Sequence, residues 1–190
     1  MKAYQELPAD YRQILQINLQ SDKKTAVKVN AGGAIAMVAV FVVGHLIVPL
    51  GTVLKAGLSD YFLRLSAAML GYAAYIVLHE LTHAAVMKAA GGGKVRFGLT
   101  RLYAYAGSET DYFDKVSYRC IALAPLILWG AVFGVLAALV PEDWFWVVWF
   151  LQAGNIGGAA GDVYVTARLW KLPRSILVRD TGLDMTVFDR

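Results

Sequence analysis

The sequence predicts an α-helical polytopic membrane protein with about four transmembrane helices and a small cytoplasmic β-sheet or hairpin. Of its 190 residues, 58% are apolar and 17% are charged, against roughly 45–50% and 25% in a soluble domain. The uncharged residues form long stretches, which alternate with shorter basic segments. This composition excludes a disordered chain, which would be polar and charged. The single cysteine, Cys120, excludes a scaffold of internal disulfides.

Four stretches are nearly free of charge, and each is long enough to cross a bilayer. A hydrocarbon core of about 30 Å needs roughly 20 helical residues. A soluble chain of this length could not cover four such helices, which disfavours four buried core helices as the alternative. Within one domain covering 1–190, we predict spans at 31–54, 65–88, 121–140 and 144–166.

Lysine and arginine are distributed unevenly between the two sides that four spans create. Sixteen of the 18 lie in residues 1–30, in residues 88–119 or in the tail from Arg168 onward, and two lie in the 55–64 loop. Because positively charged loops stay inside, we expect both termini to be cytoplasmic and the chain to lie in the plasma membrane. This topology accounts for the net charge of +4, so we expect no nucleic-acid partner.

Three of the cytoplasmic segments alternate apolar and polar residues, as β-strands do. These segments are 14–29, 94–106 and 175–188. For 14–29, an amphipathic helix in the membrane interface is an equally good interpretation. We expect a small sheet that lies against the inner face of the membrane.

The motif His79-Glu-Leu-Thr-His83 lies inside the second predicted span. Residues four apart share one face of a helix, so both imidazoles can bind one metal ion. Glu80 lies beside them, where it can take a proton from water, as in zinc proteases. Ionisable groups are costly inside a bilayer, which favours a functional site over incidental hydrogen bonding between helices.

Asp162 in the fourth span is the predicted third metal ligand, since catalytic zinc normally has three protein ligands. At the helical rise of 1.5 Å per residue, Asp162 lies roughly 9 Å from the cytoplasmic end of its span. The two histidines lie about 8–14 Å from the same side. The remaining candidates lie in the outer half of the first span or in loops: His45, Glu109, Asp111 and Asp114.

Small residues surround Asp162 over residues 154–162. Gly157 and Gly161 form a G-x-x-x-G step, which allows two helices to approach closely. We expect this approach to bring Asp162 to the metal. Asn155 lies two turns before Asp162 on the same face. It either orients substrate and stabilises an oxyanion, or it makes a hydrogen bond between helices.

The chain resembles the site-2-protease class of intramembrane zinc metalloproteases. The resemblance rests on the His79–His83 motif in a span, the glycine-led segment 91–106, Ala122-Leu-Ala-Pro125, and an Asn and an Asp in a later span. The short four-span layout is more closely similar to a family of small bacterial membrane-embedded zincin peptidases, over residues 10–188.

This resemblance implies Zn²⁺ as the cofactor, with His79, His83 and Asp162 as ligands and Glu80 as the catalytic base. Asn155 would match the asparagine upstream of the aspartate. The chain departs from the site-2-protease pattern around Asp162. There the class has a proline-containing stretch and Leu-Asp-Gly, whereas this sequence has Gly161-Asp162-Val163.

The predicted function is a zinc metalloendopeptidase that hydrolyses membrane or juxtamembrane proteins near the cytoplasmic leaflet. The alternative is a non-catalytic membrane protein that binds a metal or a partner. Glu80 favours catalysis, because structural zinc sites usually fill all four positions with protein ligands. A transporter is disfavoured because the spans show no repeat symmetry. The expected partners are a protein or peptide substrate and the lipid bilayer, and a homo-oligomer remains open.

Overall fold

The computed structural model describes residues 1–54, 57–100 and 103–190. Six helices form most of the described chain: α1 (Lys23–Ile47), α2 (Gly51–Leu54), α3 (Leu58–Ala89), α4 (Lys115–Leu139), α5 (Glu142–Gly158) and α6 (Ala160–Trp170). By length and composition, α1, α3 and α4 could each cross a membrane. Lys55 and Arg101, which entered the count of positive charges, lie outside the described residues.

The first helix begins earlier and ends earlier than the predicted span 31–54. The Asp22 side chain caps its N-terminus by accepting a hydrogen bond from the Thr25 amide (3.0 Å). Pro49 disfavours helical geometry in the residue before it, and α1 ends at Ile47. Within 14–29, the strand prediction is therefore correct only near its start, and residues 25–29 are helical.

The fourth predicted span, 144–166, is divided at Ala159 into α5 and α6. The distortion is local, because the Ala159 amide still donates to the Asn155 carbonyl (3.1 Å) and the Ala159 carbonyl accepts from Val163 (3.0 Å). Glycines at 157 and 158 precede the break, and glycine is a poor helix former. As a result, Asp162 lies in the first turn of α6.

A five-stranded antiparallel sheet covers one end of the helices. Its strands lie in the order β1 (Ala3–Tyr4), β5 (Tyr112–Asp114), β6 (Leu177–Asp180), β7 (Met185–Asp189) and β2 (Arg12–Ile17). The small sheet expected from the sequence is thus present. Strands β6 and β7 form the hairpin expected within 175–188, with Gly182 at φ +81° between them. Strands β1 and β5 were not predicted.

A separate hairpin lies between α3 and α4, within the predicted strand segment 94–106. Strand β3 (Arg96–Leu99) pairs with β4 (Ala104–Gly107), and Arg96 is opposite Gly107. Residues 101 and 102 of this segment lie outside the described residues. The two strands are antiparallel. Strand β4 contacts α3.

Two clusters of buried side chains hold the fold together. One joins the sheet to the ends of α3, α4 and α6, and its fully buried members include Phe113, Ile121 and Leu169. The other is an aromatic cluster among α3, α4 and α5, with Tyr75, Phe133 and Phe145 at its centre. Elsewhere the long helices present apolar side chains outward. In the most apolar 18-residue stretch of α1, only 11% is buried inside the protein.

A close helix approach involves Gly157, but not in the predicted way. A Cβ at Gly157 would lie 3.0 Å from the carbonyl oxygen of Gly33 in α1. A Cβ at Gly161 would meet no described atom within 4 Å. The prediction that Gly157 and Gly161 together bring α6 against the second span is therefore wrong. The close contact joins α5 to α1, at Gly33.

Candidate metal centre

His79 and His83 lie one turn apart on α3, and their side chains point to the same place. The two Nε2 atoms are 3.2 Å apart. This is the placement expected from the i, i+4 spacing on a helix. Both side chains are largely buried, at 13% and 11% exposure.

Asp162 completes a group of three donors. Its Oδ2 lies 3.4 Å from Nε2 of His79, and its Oδ1 lies 3.6 Å from Nε2 of His83. One ligand atom from each residue lies within 4.8 Å of the others. The structure therefore brings together the three residues that the sequence selected as ligands. The Asp162 side chain is 23% exposed, so the group is not sealed inside the protein on that side.

The donor set has the chemistry and spacing of a zinc site. Tetrahedral zinc with bonds of about 2.0–2.2 Å holds neighbouring donors about 3.3–3.6 Å apart. The two Nε2 atoms are 3.2 Å apart and Oδ2 of Asp162 lies 3.4 Å from Nε2 of His79, both close to that value, whereas the 3.6 Å separation from Nε2 of His83 involves the other carboxylate oxygen, Oδ1. Two imidazoles and one carboxylate would leave one coordination position open, as catalytic zinc sites do.

The other ring nitrogen of each histidine also has a partner. Nδ1 of His83 lies 2.9 Å from the carbonyl oxygen of Ile121 in α4. Nδ1 of His79 lies 2.9 Å from the hydroxyl of Tyr75, one turn earlier on α3. Such outer contacts orient the imidazoles that bind metals. Sequence reasoning missed Tyr75, although its position four residues before His79 could have indicated it.

Asn155 is fully buried between three helices. Its Oδ1 accepts a hydrogen bond from the Tyr75 hydroxyl (2.8 Å), and its Nδ2 donates to the Leu126 carbonyl (3.2 Å). Of the two roles considered for Asn155, the hydrogen bond between helices is the one observed in this geometry. The residue connects α5 to α3 and α4, and through Tyr75 it reaches His79.

Glu80 lies beside the donor group but does not belong to it. Its carboxylate interacts with the backbone amide of Ala106 in β4. Residues 106 and 97 are opposite each other in the hairpin. The Thr100 amide donates to the Tyr103 carbonyl (2.8 Å), and hydrogen-bonded pairs alternate along an antiparallel hairpin, so the pair 97–106 is not hydrogen-bonded and the amide of Ala106 points away from β3. The edge of β4 that does not pair with β3 thus faces Glu80.

A further, partly buried acid lies nearby, in the sheet. Asp180 in β6 accepts hydrogen bonds from the Tyr118 hydroxyl (2.5 Å) and the Gly182 amide (2.8 Å). Burial raises the pKa of the Asp180 carboxyl above its ordinary value, and these two hydrogen bonds only partly oppose that effect. Sequence reasoning did not identify Asp180, because it lies in a short strand with no motif around it.

The other residues considered as ligands are engaged elsewhere. The imidazole of His45 accepts a hydrogen bond from the Leu50 amide (3.0 Å), and Glu109 pairs with Arg96. Asp111 accepts from the Gly93 amide (2.8 Å) and the Ser108 hydroxyl (2.6 Å). Asp114 caps α4 through the Ser117 amide (2.8 Å). None of these four belongs to the donor group found among the described residues.

A comparison with known protein families finds a match that includes this donor group. Residues 72–177 match the model of the DUF3267 family, whose description is "Putative zincin peptidase". The matched region extends from α3 into β6 and contains both histidines, Glu80, Asn155 and Asp162. Searches of curated proteins and of solved structures find no match. Because the match covers more than half of the chain, the protein belongs to this zincin peptidase family.

Proposed function

We propose that the protein is a membrane-embedded zinc metalloendopeptidase of the site-2-protease type. One observation carries the proposal. Three donors at zinc spacing converge on one point, and Glu80 lies beside them on the same helix. Family membership supports a metallopeptidase activity. In this proposal His79, His83 and Asp162 hold Zn²⁺, and Glu80 is the catalytic base.

The proposed location is the plasma membrane of a bacterium, with four crossings. The apolar lengths and outward-facing side chains of α1, α3 and α4 support three of them. For the fourth crossing we propose α5 and α6 together, because backbone hydrogen bonds continue across Ala159. The charge distribution supports a cytoplasmic location for the termini, the sheet and the β3–β4 hairpin.

The residues of the site divide the chemistry among them. Zn²⁺, when bound, lowers the pKa of water and polarises the carbonyl of the substrate. Glu80 accepts a proton from the attacking water and returns it to the amine that leaves. The two imidazoles enter as neutral ligands through Nε2, while the exposed side of Asp162 admits water.

The proposed substrate is an extended segment of a membrane or juxtamembrane protein. A helix hides its backbone carbonyls, so the segment must unwind before cleavage. The β3–β4 hairpin lies beside Glu80, and an extended substrate that adds to this hairpin as a further strand would be held by backbone hydrogen bonds near the base. Sequence-independent backbone pairing would position the peptide, and side-chain contacts would select it.

The test compares Glu80→Gln with the wild-type chain purified in detergent. The probes are fluorescein-labelled casein and a quenched transmembrane peptide. We expect Glu80→Gln to lose cleavage while it retains stoichiometric zinc, because the ligands are untouched. Glu109→Gln is the matched control, since Glu109 forms a surface ion pair with Arg96. Full cleavage by Glu80→Gln contradicts the mechanism. Zinc binding without cleavage by the wild type favours a non-catalytic metal-binding or partner-binding protein.

A further inference from the structure

Helix α4 offers an unpaired backbone carbonyl to one of the histidines. In an α-helix the carbonyl of Ile121 would accept a hydrogen bond from the amide of residue 125. Residue 125 is a proline inside α4 and has no amide hydrogen. Nδ1 of His83 lies 2.9 Å from this carbonyl oxygen. Because a carbonyl can only accept, Nδ1 of His83 carries a hydrogen, so in the neutral imidazole Nε2 presents a lone pair toward Asp162.

The same helix determines the hydrogen position on the other histidine, through two side chains. The Leu126 carbonyl can only accept, so the amide of Asn155 directs Nδ2 toward it (3.2 Å). Its Oδ1 then faces the Tyr75 hydroxyl (2.8 Å), which must donate to it. The hydroxyl has a single hydrogen, so it can only accept from Nδ1 of His79 (2.9 Å). Nε2 of His79 is therefore also left with a lone pair.

We propose that Pro125, Asn155 and Tyr75 are positioning residues that hold both imidazoles in the Nδ1–H tautomer. The inference rests on the proposed zinc site. With both hydrogens on Nδ1, two lone pairs and a carboxylate face one another, and a cation satisfies all three. If the Asn155 amide were flipped, its Nδ2 would donate to the Tyr75 hydroxyl. The hydroxyl would then donate its own hydrogen to Nδ1 of His79. Nε2 of His79 would then carry a hydrogen that blocks the metal.

The proposal assigns a chemical role to a helix-breaking residue at a buried position. Pro125 is fully buried in α4, and proline inside a helix ordinarily destabilises it. Pro125→Ala would restore an amide that competes with His83 for the Ile121 carbonyl. This substitution should leave the fold of the metal-free protein intact while it weakens metal binding. If Pro125 had only a structural role, Pro125→Ala would change the stability of the fold and leave metal binding unaffected.

The test measures Zn²⁺ affinity by competition with a chromophoric chelator, and the absorption spectrum of the Co²⁺-loaded protein. We expect Pro125→Ala and Tyr75→Phe each to weaken Zn²⁺ binding by about 10- to 100-fold, the range for lost outer-sphere contacts. Both should alter the Co²⁺ spectrum. Tyr72→Phe is the matched control, because it removes a tyrosine hydroxyl one turn away on the same helix. The centroid of the Tyr72 ring lies 5.9 Å from that of Tyr75. This control should leave affinity within about 2-fold of the wild type.

A double variant tests whether Tyr75 and Asn155 act in series. If they do, Tyr75→Phe with Asn155→Leu binds Zn²⁺ no more weakly than Tyr75→Phe alone, whereas independent effects would multiply. Wild-type affinity in both Pro125→Ala and Tyr75→Phe, or multiplied effects in the double variant, overturns the positioning roles and leaves the zinc site standing. A wild-type chain that binds no Zn²⁺ overturns the zinc site as well. If Pro125→Ala fails to fold, Tyr75→Phe alone decides.

Discussion

Gly33 should tolerate alanine far less well than its neighbour Gly32, although both lie on α1. A Cβ at Gly33 would lie 2.5 Å from the carbonyl oxygen of Gly157 and 3.0 Å from Cβ of Ala160. The first contact is about 1 Å shorter than ordinary van der Waals separation. Its partner is backbone, so no side-chain rotation relieves it. A Cβ at Gly32 would meet no described atom within 4 Å.

The difference between the two variants isolates the cost of the contact. Each replacement gains up to about 1 kcal/mol of helix propensity in an aqueous scale, and this gain cancels in the comparison. Overpacking typically costs about 1–3 kcal/mol. We therefore expect Gly33→Ala to be about 1–3 kcal/mol less stable than Gly32→Ala. Since Asp162 follows Ala160 by two residues, zinc affinity should fall in Gly33→Ala as well.

The assay is denaturant-induced unfolding of the two variants at one detergent concentration, with and without Zn²⁺. Zinc affinity is measured on the same preparations. Equal unfolding free energies for Gly33→Ala and Gly32→Ala would refute the close α1–α5 contact. A loss of stability without any change in zinc affinity would show that the contact does not position Asp162.

Other predictions concern the metal, the pH dependence and the orientation in the membrane. Asp162→Ala should lose stoichiometric zinc, as elemental analysis would show, whereas Asp111→Asn should retain it because Asp111 forms hydrogen bonds away from the site. Removal of zinc by a chelator should lower the unfolding temperature, and the stabilisation at 100 times the Kd is about 2.7 kcal/mol. Because burial raises the pKa of Asp180 in the folded state, its carboxyl keeps a proton in the folded chain between pH 3.8 and that raised pKa, where the unfolded chain has lost it. The contribution of Asp180 to the free energy of unfolding should therefore fall as pH rises through this interval and stay constant above it, and Asp180→Asn should reduce this slope in unfolding experiments. In a Cys120→Ser background, Glu142→Cys should react with an impermeant maleimide added outside intact cells; labelling only after lysis would contradict the proposed topology.

The helices could be predicted because their signal extends over many residues. Long uncharged stretches located α1, α3 and α4, and errors were confined to their ends, where a cap at Asp22 or a proline at 49 decides the boundary. Strands β1 and β5 have two and three residues, which is too short for an alternating pattern. Their positions depend on pairing with distant strands, and composition alone does not encode that pairing.

The candidate site was predictable to the extent that helical geometry and depth constrain it. The spacing of His79 and His83 is a local property, and the depth of Asp162 follows from counting residues. The backbone acceptor at Ile121 leaves no side-chain signal, although Pro125 four residues later marks a carbonyl without a helical donor. The G-x-x-x-G step indicated a close contact but could not name its partner, which proved to be Gly33.

The pairing of β2 with β7 has a consequence for biosynthesis. Arg12 lies opposite Asp189 and Ile17 opposite Met185, so β2 is synthesised long before the strand with which it pairs. Until residues 185–189 are synthesised, β2 cannot form this pairing. Contacts this distant in sequence form slowly. Under the proposed topology, the sheet closes after the apolar helices have entered the bilayer, and a ribosome-bound chain that lacks β7 should be exposed to chaperones and proteases on the cytoplasmic side.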